Sequence, residues 1–252
     1  MKKEKKVATE SLATIARKNK KPKPTVKIEA TNPLKIKEEV DFIPNHNWYL
    51  DTHRIETWGY AHEAFTPEEC DKIIEIGTTS KNCTPLSRAL TGGLTSDNLK
   101  NSDTKDDLKK IRRSYTSWIH SNAPENAWIF ERLTNIIKAV NDRLFQFDLV
   151  EIQSLQFTCY DGAEKGAYVK HIDQMLDSTG FPRKLSVSIQ LSNEKDYKGG
   201  DLLLHEAAKP TKTFRNRGTA IFFPSYVLHE VTPVTKGIRY SLVIWVTGPR
   251  FK

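Results

Sequence analysis

The second half of the chain constrains the fold most strongly. From Glu151 onward, short apolar segments follow one another at regular intervals, separated by turns rich in Gly, Pro, Asp and Lys. Leu185, Val187 and Ile189 alternate with polar residues, which is the period-2 pattern of a strand with one face in a core. Strands are predicted at residues 153–160, 168–173, 185–191, 201–205, 218–223, 227–232 and 238–247. This half is therefore predicted to be mainly β.

Two helices are predicted in the first half. A capping box at Thr66–Glu69 starts a helix of about three turns, which we expect to end at Gly77. Apolar residues recur at helical spacing between Pro124 and Phe147 and form one wide stripe, which should pack on a sheet. Between the helices, the polar, glycine-containing segment 87–107 is predicted to be a long mobile loop that either closes over a substrate or is passive.

These elements together predict one fold class. Many antiparallel strands, with the helices confined to the first half, favour an α+β, mainly β protein. The specific expectation is a double-stranded β-helix, or jelly roll, buttressed by N-terminal helices.

The positive charge of the chain is concentrated at its N-terminus. Residues 1–40 hold 12 Lys or Arg against 5 Glu, which leaves 27 basic and 26 acidic residues for the rest. We predict a basic, disordered tail at 1–40 and a folded domain at 41–252. Because this domain is nearly neutral, nucleic acid is not its expected partner.

Composition also bears on the compartment. No apolar run is long enough to cross a bilayer, and no apolar segment follows the basic N-terminus as a secretory signal requires. The three cysteines, Cys70, Cys83 and Cys159, are odd in number and lack CxxC spacing, which argues against a disulfide framework or a thiolate zinc site. We expect reduced, mostly buried thiols in a cytoplasmic protein.

One histidine is followed at two residues by a carboxylate. His171 and Asp173 lie within a predicted strand, where alternate side chains share a face while Ile172 points to the other side. A second imidazole farther along the chain, for which His229 is the best candidate, completes a two-histidine, one-carboxylate set. Such a set is typical of non-heme iron(II) oxygenases. Alone, the HxD pattern is a weak signal.

A second feature lies ten residues beyond His229. Arg239, Ser241 and Trp245 share one face of a strongly apolar final strand. A buried arginine needs an anion, and a planar guanidinium binds a carboxylate through two parallel hydrogen bonds, to which Ser241 can add a hydroxyl. The alternative is a surface arginine paired with a neighbouring acid.

Several motifs resemble a known family. The segments are Cys159–Gly162, Gly166–Asp173, Leu185–Leu191, Tyr197–Leu202, Phe222–Ser225, His229–Val231 and Arg239–Trp245. Their order and spacing are similar to those of prolyl hydroxylases of bacterial and phage type in the 2-oxoglutarate and iron(II) oxygenase superfamily. The resemblance is strong over about residues 150–249 and loose in the helical half.

The resemblance implies roles for individual residues. His171, Asp173 and His229 are expected to ligate iron(II) and form the catalytic centre, and Arg239 to pair with the distal carboxylate of 2-oxoglutarate, with O2 as the other cosubstrate. Tyr160, Ser241, Gln190 and Trp245 are further candidates for contact with the cosubstrate. Arg183 and Tyr168 are candidates for contact with the substrate. Ascorbate is a candidate reductant.

The same resemblance implies a reaction. Oxidative decarboxylation of 2-oxoglutarate is coupled in the family to hydroxylation of a C–H bond. Because Asp173 is present, hydroxylation is expected rather than halogenation, for which relatives lack this carboxylate. The leading substrate is a prolyl residue of a peptide or protein, in the host cytoplasm if the protein is encoded by a phage.

Other functions stay open at this point. They are an oxygenase acting on a small molecule, a cupin-like metalloenzyme without 2-oxoglutarate, and a noncatalytic jelly-roll protein that binds a partner. Nucleic-acid demethylases of the family carry a second arginine where this chain has Trp245. The oligomeric state is not indicated by the sequence.

Overall fold

The computed structural model describes residues 56–79, 82–91, 109–176 and 180–251, together with the backbone of 28–30. The strands are β1 (Ile28–Ala30), β2 (Gly59–Ala61), β3 (Ser87–Arg88), β4 (Arg112–Arg113), β5 (Tyr115–Ile119), β6 (Glu151–Ile152), β7 (Leu155–Asp161), β8 (Ala167–His171), β9 (Arg183–Gln190), β10 (Lys198–Gly199), β11 (Leu202–Leu204), β12 (Thr211–Lys212), β13 (Ala220–Pro224), β14 (His229–Val231), β15 (Val234–Lys236) and β16 (Ile238–Thr247). The helices are α1 (Pro67–Thr79) and α2 (Ala127–Val140); a 3-10 turn (Pro124–Asn126) precedes α2 and a π turn (Asn141–Phe145) follows it.

The strands form two main antiparallel sheets. The larger sheet has the order β1-β2-β13-β9-β16-β7-β5-β3, with β6 paired to β16. The smaller sheet has the order β12-β11-β14-β8-β4, and β10 and β15 form a separate ribbon. Side chains of both main sheets line one cavity between them. The arrangement is the jelly roll that the sequence predicts.

All seven predicted strands are present, with ends shifted by at most two residues. The remaining strands were not predicted. Most of them are two or three residues long, so they carry too little alternation to be detected. β3 occupies Ser87–Arg88, so the loop predicted for 87–107 is wrong at its start, because these residues pair with β5. Residues 92–108 of that loop lie outside the described residues.

The main core lies between the larger sheet and the helices. Leu185, Val187 and Ile189 of β9 and Leu242 and Ile244 of β16 are fully buried in it. The apolar stripe of α2 covers them through Ile129, Leu133, Ile136, Ile137 and Val140. The predicted packing of this helix on a sheet is therefore confirmed. Because β9 and β16 bury one face here, their alternate residues point into the space between the sheets.

Helix α1 begins as predicted but ends later. The Thr66 main-chain N–H donates to Glu69 Oε2 (2.9 Å) and the Glu69 N–H donates to Thr66 Oγ1 (3.2 Å), which completes the capping box. The expected stop at Gly77 is wrong, because α1 continues through Gly77 to Thr79. A Cβ at this position would lie 2.3 Å from the ring of Phe157. The glycine therefore allows close approach of helix and sheet and does not end the helix.

Three further expectations concern the cysteines, membrane-spanning helices and the N-terminal tail. The cysteines are free thiols, buried at positions 70 and 159 and partly buried at 83. Within the described ranges, no helix is long and apolar enough to span a membrane. Except for the backbone of β1, which pairs with β2, the predicted tail at 1–40 and residues 41–55 lie outside the described residues.

Candidate active site

Two strands of the smaller sheet place the two histidines side by side. His171 ends β8 and His229 begins β14, and the two residues are direct partners in the antiparallel pairing. Asp173 lies two residues beyond β8, where its main-chain N–H donates to the Ser225 carbonyl (2.9 Å). Each of the three side chains presents one ligand atom, and these atoms lie within 4.8 Å of one another. The fold thus brings together three residues that are up to 58 positions apart in the sequence.

Both imidazoles are oriented by main-chain carbonyls. His171 Nδ1 lies 2.8 Å from the Val169 carbonyl oxygen, and His229 Nδ1 lies 2.9 Å from that of Val227. A carbonyl only accepts, so Nδ1 carries a proton in both rings, and in the neutral ring the lone pair is then on Nε2. The Nε2 atoms lie 3.7 Å and 3.5 Å from the Asp173 carboxylate oxygens. This tautomer is the one that a metal ion requires.

Asp173 is held by two serines that sequence reasoning did not identify. The Ser186 hydroxyl donates to Asp173 Oδ2 (2.8 Å) and lies 2.9 Å from the Ser225 hydroxyl. Burial raises the pKa of the Asp173 carboxyl, but the two imidazoles, the Trp245 indole and Ser186 lower it more, so the pKa is below its usual value. The carboxylate is therefore ionised, and the serine fixes its orientation.

The electrostatic state of His171 also suits a metal. Burial, with the neighbouring His229, lowers the pKa of His171 to about 4. The ring is consequently neutral near pH 7 and available as a ligand. Two imidazoles and one carboxylate whose ligand atoms lie this close together fit iron(II), which prefers such a nitrogen and oxygen donor set with open positions.

Arg239 lies on the opposite side of the same cavity. It is 2% exposed and is the largest fully buried side chain among the described residues. Its guanidinium donates to Gln190 Oε1 (3.0 Å) and to Ser241 Oγ (3.4 Å), and lies 5.4 Å from the centre of the Tyr160 ring. No carboxylate in the described part of the chain pairs with it. The structure therefore rules out a surface arginine paired with a neighbouring acid.

The larger sheet supplies the other candidates for cosubstrate contact. Trp245 lies on the same face of β16 as Arg239 and lines the cavity, as predicted. Its buried indole N–H lies beside the Asp173 carboxylate and helps to lower the pKa of that carboxyl. The Arg183 guanidinium stacks on the Trp245 ring at 3.9 Å and donates to Gln153 (2.8 Å). Arg183 therefore reaches the cavity beside the indole rather than projecting from the surface.

On the smaller sheet, Tyr168 stacks on His171, with ring centroids 3.5 Å apart. Ile172, expected to face away from the site, lines the cavity and is 48% exposed. That expectation is wrong because β8 ends at His171, so the strict alternation of a strand does not extend to the next residue. Together these side chains line a cavity of about 220 Å³. Arg112 also lines this cavity and was not among the site residues predicted from the sequence.

Comparisons with known proteins agree with this geometry. The sequence profile of the 2OG-Fe(II) oxygenase superfamily matches residues 155–247. A PKHD-type hydroxylase of Prochlorococcus marinus is 31% identical over 157 residues, which cover 60% of this chain and 70% of that protein. A PKHD-type hydroxylase of a Synechococcus strain is 32% identical over 130 residues, and the alignment spans 49% of this chain but only 57% of that protein.

Solved structures show the same fold. A prolyl-4-hydroxylase of Pseudomonas putida superposes with a TM-score of 0.53 at 18% identity, covering 77% of this chain and 94% of that one. A viral collagen prolyl hydroxylase from Paramecium Bursaria Chlorella virus-1 superposes with a TM-score of 0.53 at 17% identity, covering 77% and 97%. At this level of identity the similarity concerns the jelly roll and its strand order.

Proposed function

The chain belongs to the 2OG-Fe(II) oxygenase superfamily, and from this premise we propose that it hydroxylates a C–H bond of a peptide or protein, at a prolyl residue. One observation carries the proposal. Within a single cavity, a His171–Asp173–His229 cluster faces a buried arginine to which the described residues offer no acid. The first group suits iron(II), and the second suits the distal carboxylate of 2-oxoglutarate.

Each residue has a distinct task in this proposal. His171, Asp173 and His229 hold iron(II), while Ser186 keeps the carboxylate oriented. Arg239 binds the distal carboxylate of the cosubstrate. When bound, iron(II) with O2 and 2-oxoglutarate supplies the oxidising chemistry, in which 2-oxoglutarate is converted to succinate and CO2 and one oxygen atom enters the substrate.

Four further residues support the cosubstrate in this proposal. Gln190 and Ser241 hold the Arg239 guanidinium through its nitrogens, so that its planar edge is kept in place for a carboxylate. Tyr160 lies beside the same group, and Trp245 lines the same cavity on the strand face that carries Arg239.

The substrate part of the proposal draws on the relatives and on the cavity mouth. Its relatives include PKHD-type hydroxylases, and a fold neighbour is a prolyl hydroxylase in complex with a peptide fragment, from Trichoplax adhaerens. In this chain Ile172, Met175 and Leu176 are exposed apolar side chains at or next to the mouth. An apolar rim around a polar centre suits a peptide segment that contains proline, with Tyr168 and Arg183 as contacts.

Three finer assignments belong to the same proposal. Ascorbate serves as a reductant that returns oxidised iron to iron(II). The protein works in the cytoplasm, which the three free thiols support because disulfides are rare there. The oxygenase domain extends over residues 41–252 and the basic tail over 1–40, with β1 of the tail pairing at the edge of the larger sheet.

Incorporation of oxygen from O2 tests the proposal. A library of synthetic prolyl peptides is incubated with protein, iron(II), 2-oxoglutarate and ascorbate under ¹⁸O2, and mass spectrometry locates any labelled residue. We expect label on proline with wild type and none with His171→Ala. Succinate release without label in any peptide argues for a small-molecule substrate, and neither product argues for a noncatalytic binding protein.

A further inference from the structure

A second buried arginine lines the cavity, on the sheet opposite to Arg239. Arg112 lies on β4, which pairs with β8, and its direct partner across the pair is Tyr168. It is 5% exposed, and it borders the same cavity as the His171–Asp173–His229 cluster. Neither the iron site nor the cosubstrate site proposed above uses this residue.

Among the residues that the structure describes, no acidic contact compensates the charge of Arg112. Nε donates to the Ser114 hydroxyl (2.7 Å), and the guanidinium carbon lies 4.5 Å from the centre of the Tyr168 ring. Within the described ranges, no carboxylate forms an ion pair with it. Four other arginines each have an acidic partner: Arg88 with Glu164, Arg132 with Glu69, Arg215 with Asp201, and Arg217 with Asp71.

A buried cation without an anion is costly, and proteins retain such groups where a ligand completes them. In the proposed function the cosubstrate supplies the anion for Arg239, and no described acid neutralises Arg112, which leaves Arg112 free to bind an anionic group of a second molecule. The guanidinium carbon is 4.5 Å from the Tyr168 ring and that ring is 3.5 Å from the His171 ring, so Arg112 lies at most about 8 Å from the centre of a metal ligand. A group bound there belongs to the molecule that reacts.

We infer that Arg112 is a carboxylate-binding subsite for the substrate. The preferred peptide therefore carries an Asp or Glu side chain close to the residue that is hydroxylated. Ser114 accepts from Nε, and Tyr168 lies against the guanidinium and accepts one hydrogen bond from it, which leaves further N–H groups of the two terminal nitrogens to donate to a carboxylate. This inference rests on the proposed function and adds the charge of the substrate to it.

The experiment compares matched peptides. Host peptides carry a central proline with acetylated and amidated ends, so that they have no terminal charge. Glu or Gln is placed in turn at each of the two positions on either side of the proline. Binding to the anaerobic protein with iron(II) and 2-oxoglutarate is measured by fluorescence anisotropy for wild type, Arg112→Gln and Arg113→Gln.

Arg113→Gln is the matched control. Arg113 is the next residue on the same strand, and its guanidinium donates to the carbonyl oxygens of Lys165 and Lys109 instead of lining the cavity. Gln in place of Arg112 can still reach Ser114 and stays polar. Circular dichroism and the visible charge-transfer band of the iron(II) and 2-oxoglutarate complex check that each variant folds and assembles its cofactors.

We expect wild type to bind one Glu peptide at least about tenfold more tightly than its Gln counterpart. Arg112→Gln should reduce this preference to less than about twofold, and Arg113→Gln should retain it. The inference is overturned if no position prefers Glu, if Arg112→Gln keeps the preference, or if that variant loses affinity for 2-oxoglutarate instead. A wild type that lacks the charge-transfer band contradicts the proposed function, independently of any peptide result.

Discussion

Replacement of Arg239 by methionine separates binding of the cosubstrate from stability of the fold. The side chain is fully buried, and its only described polar partners are Gln190 and Ser241, which are neutral. Methionine is a flexible, unbranched side chain that fills irregular space, so the change removes the charge with little loss of packing. The apo protein then no longer pays for a buried, unpaired cation.

The substitution is expected to weaken binding of 2-oxoglutarate without destabilising the apo protein. Loss of one partner of a buried ion pair costs about 3 to 5 kcal/mol, so the Kd for 2-oxoglutarate should rise by about 150- to 5000-fold. Replacement of a buried charge by an apolar group of similar size is neutral or stabilising by about 1 to 4 kcal/mol, so the Tm of the apo protein should stay the same or rise.

Two measurements check this. Anaerobic titration of the iron(II) protein with 2-oxoglutarate, followed at the charge-transfer band, gives Kd, and calorimetry without cosubstrate gives Tm. Ser241→Ala is the graded control, because it removes one weaker hydrogen bond at 3.4 Å and should raise Kd only several-fold. An Arg239→Met protein that binds 2-oxoglutarate within threefold of wild type would refute the assignment of this arginine.

Three further predictions concern the support of the site and the packing behind it. Ser186→Ala should lower iron(II) affinity by about 10- to 100-fold in a chelator competition, because the metal carboxylate loses its orienting donor; unchanged affinity contradicts this. Gly77→Ala should destabilise the protein by about 1 to 3 kcal/mol in urea denaturation, because the added Cβ meets the Phe157 ring. This cost should exceed the gain from the better helix propensity of alanine. A stabilised variant would show that the ring moves aside. Burial raises the pKa of Cys70 to about 11 and that of Cys159 to about 12, so neither thiol ionises near pH 8. Both should therefore resist alkylation by iodoacetamide in the native protein, which peptide mapping will test.

The sequence predicted the parts of the fold that depend on long patterns. Strands β9 and β16 are eight and ten residues long, and their alternation indicated which side chains face the helices and which face the cavity. Arg239 could be placed in the cavity because the same alternation puts it on the face opposite to the buried leucines and isoleucines. Short strands such as β4 give no comparable signal.

The parts that could not be predicted depend on contacts between distant segments. Ser186 contacts the Asp173 carboxylate only because β9 of the larger sheet passes behind the end of β8, and no local pattern records this crossing. Arg112 is buried in a two-residue strand that pairs with β8, which lies more than 50 residues farther along the chain. Gly77 looked like a helix stop because a glycine needed for close approach and one needed for a turn are identical in sequence.

The most direct test of the account is assembly of the cofactor pair. Wild type, His171→Ala and Arg239→Ala are purified without oxygen, and the visible charge-transfer band is recorded after addition of iron(II) and 2-oxoglutarate. The account predicts a band for wild type that both variants lack, His171→Ala through loss of iron and Arg239→Ala through loss of the cosubstrate. Wild-type protein that binds iron(II) but shows no band with 2-oxoglutarate would contradict it.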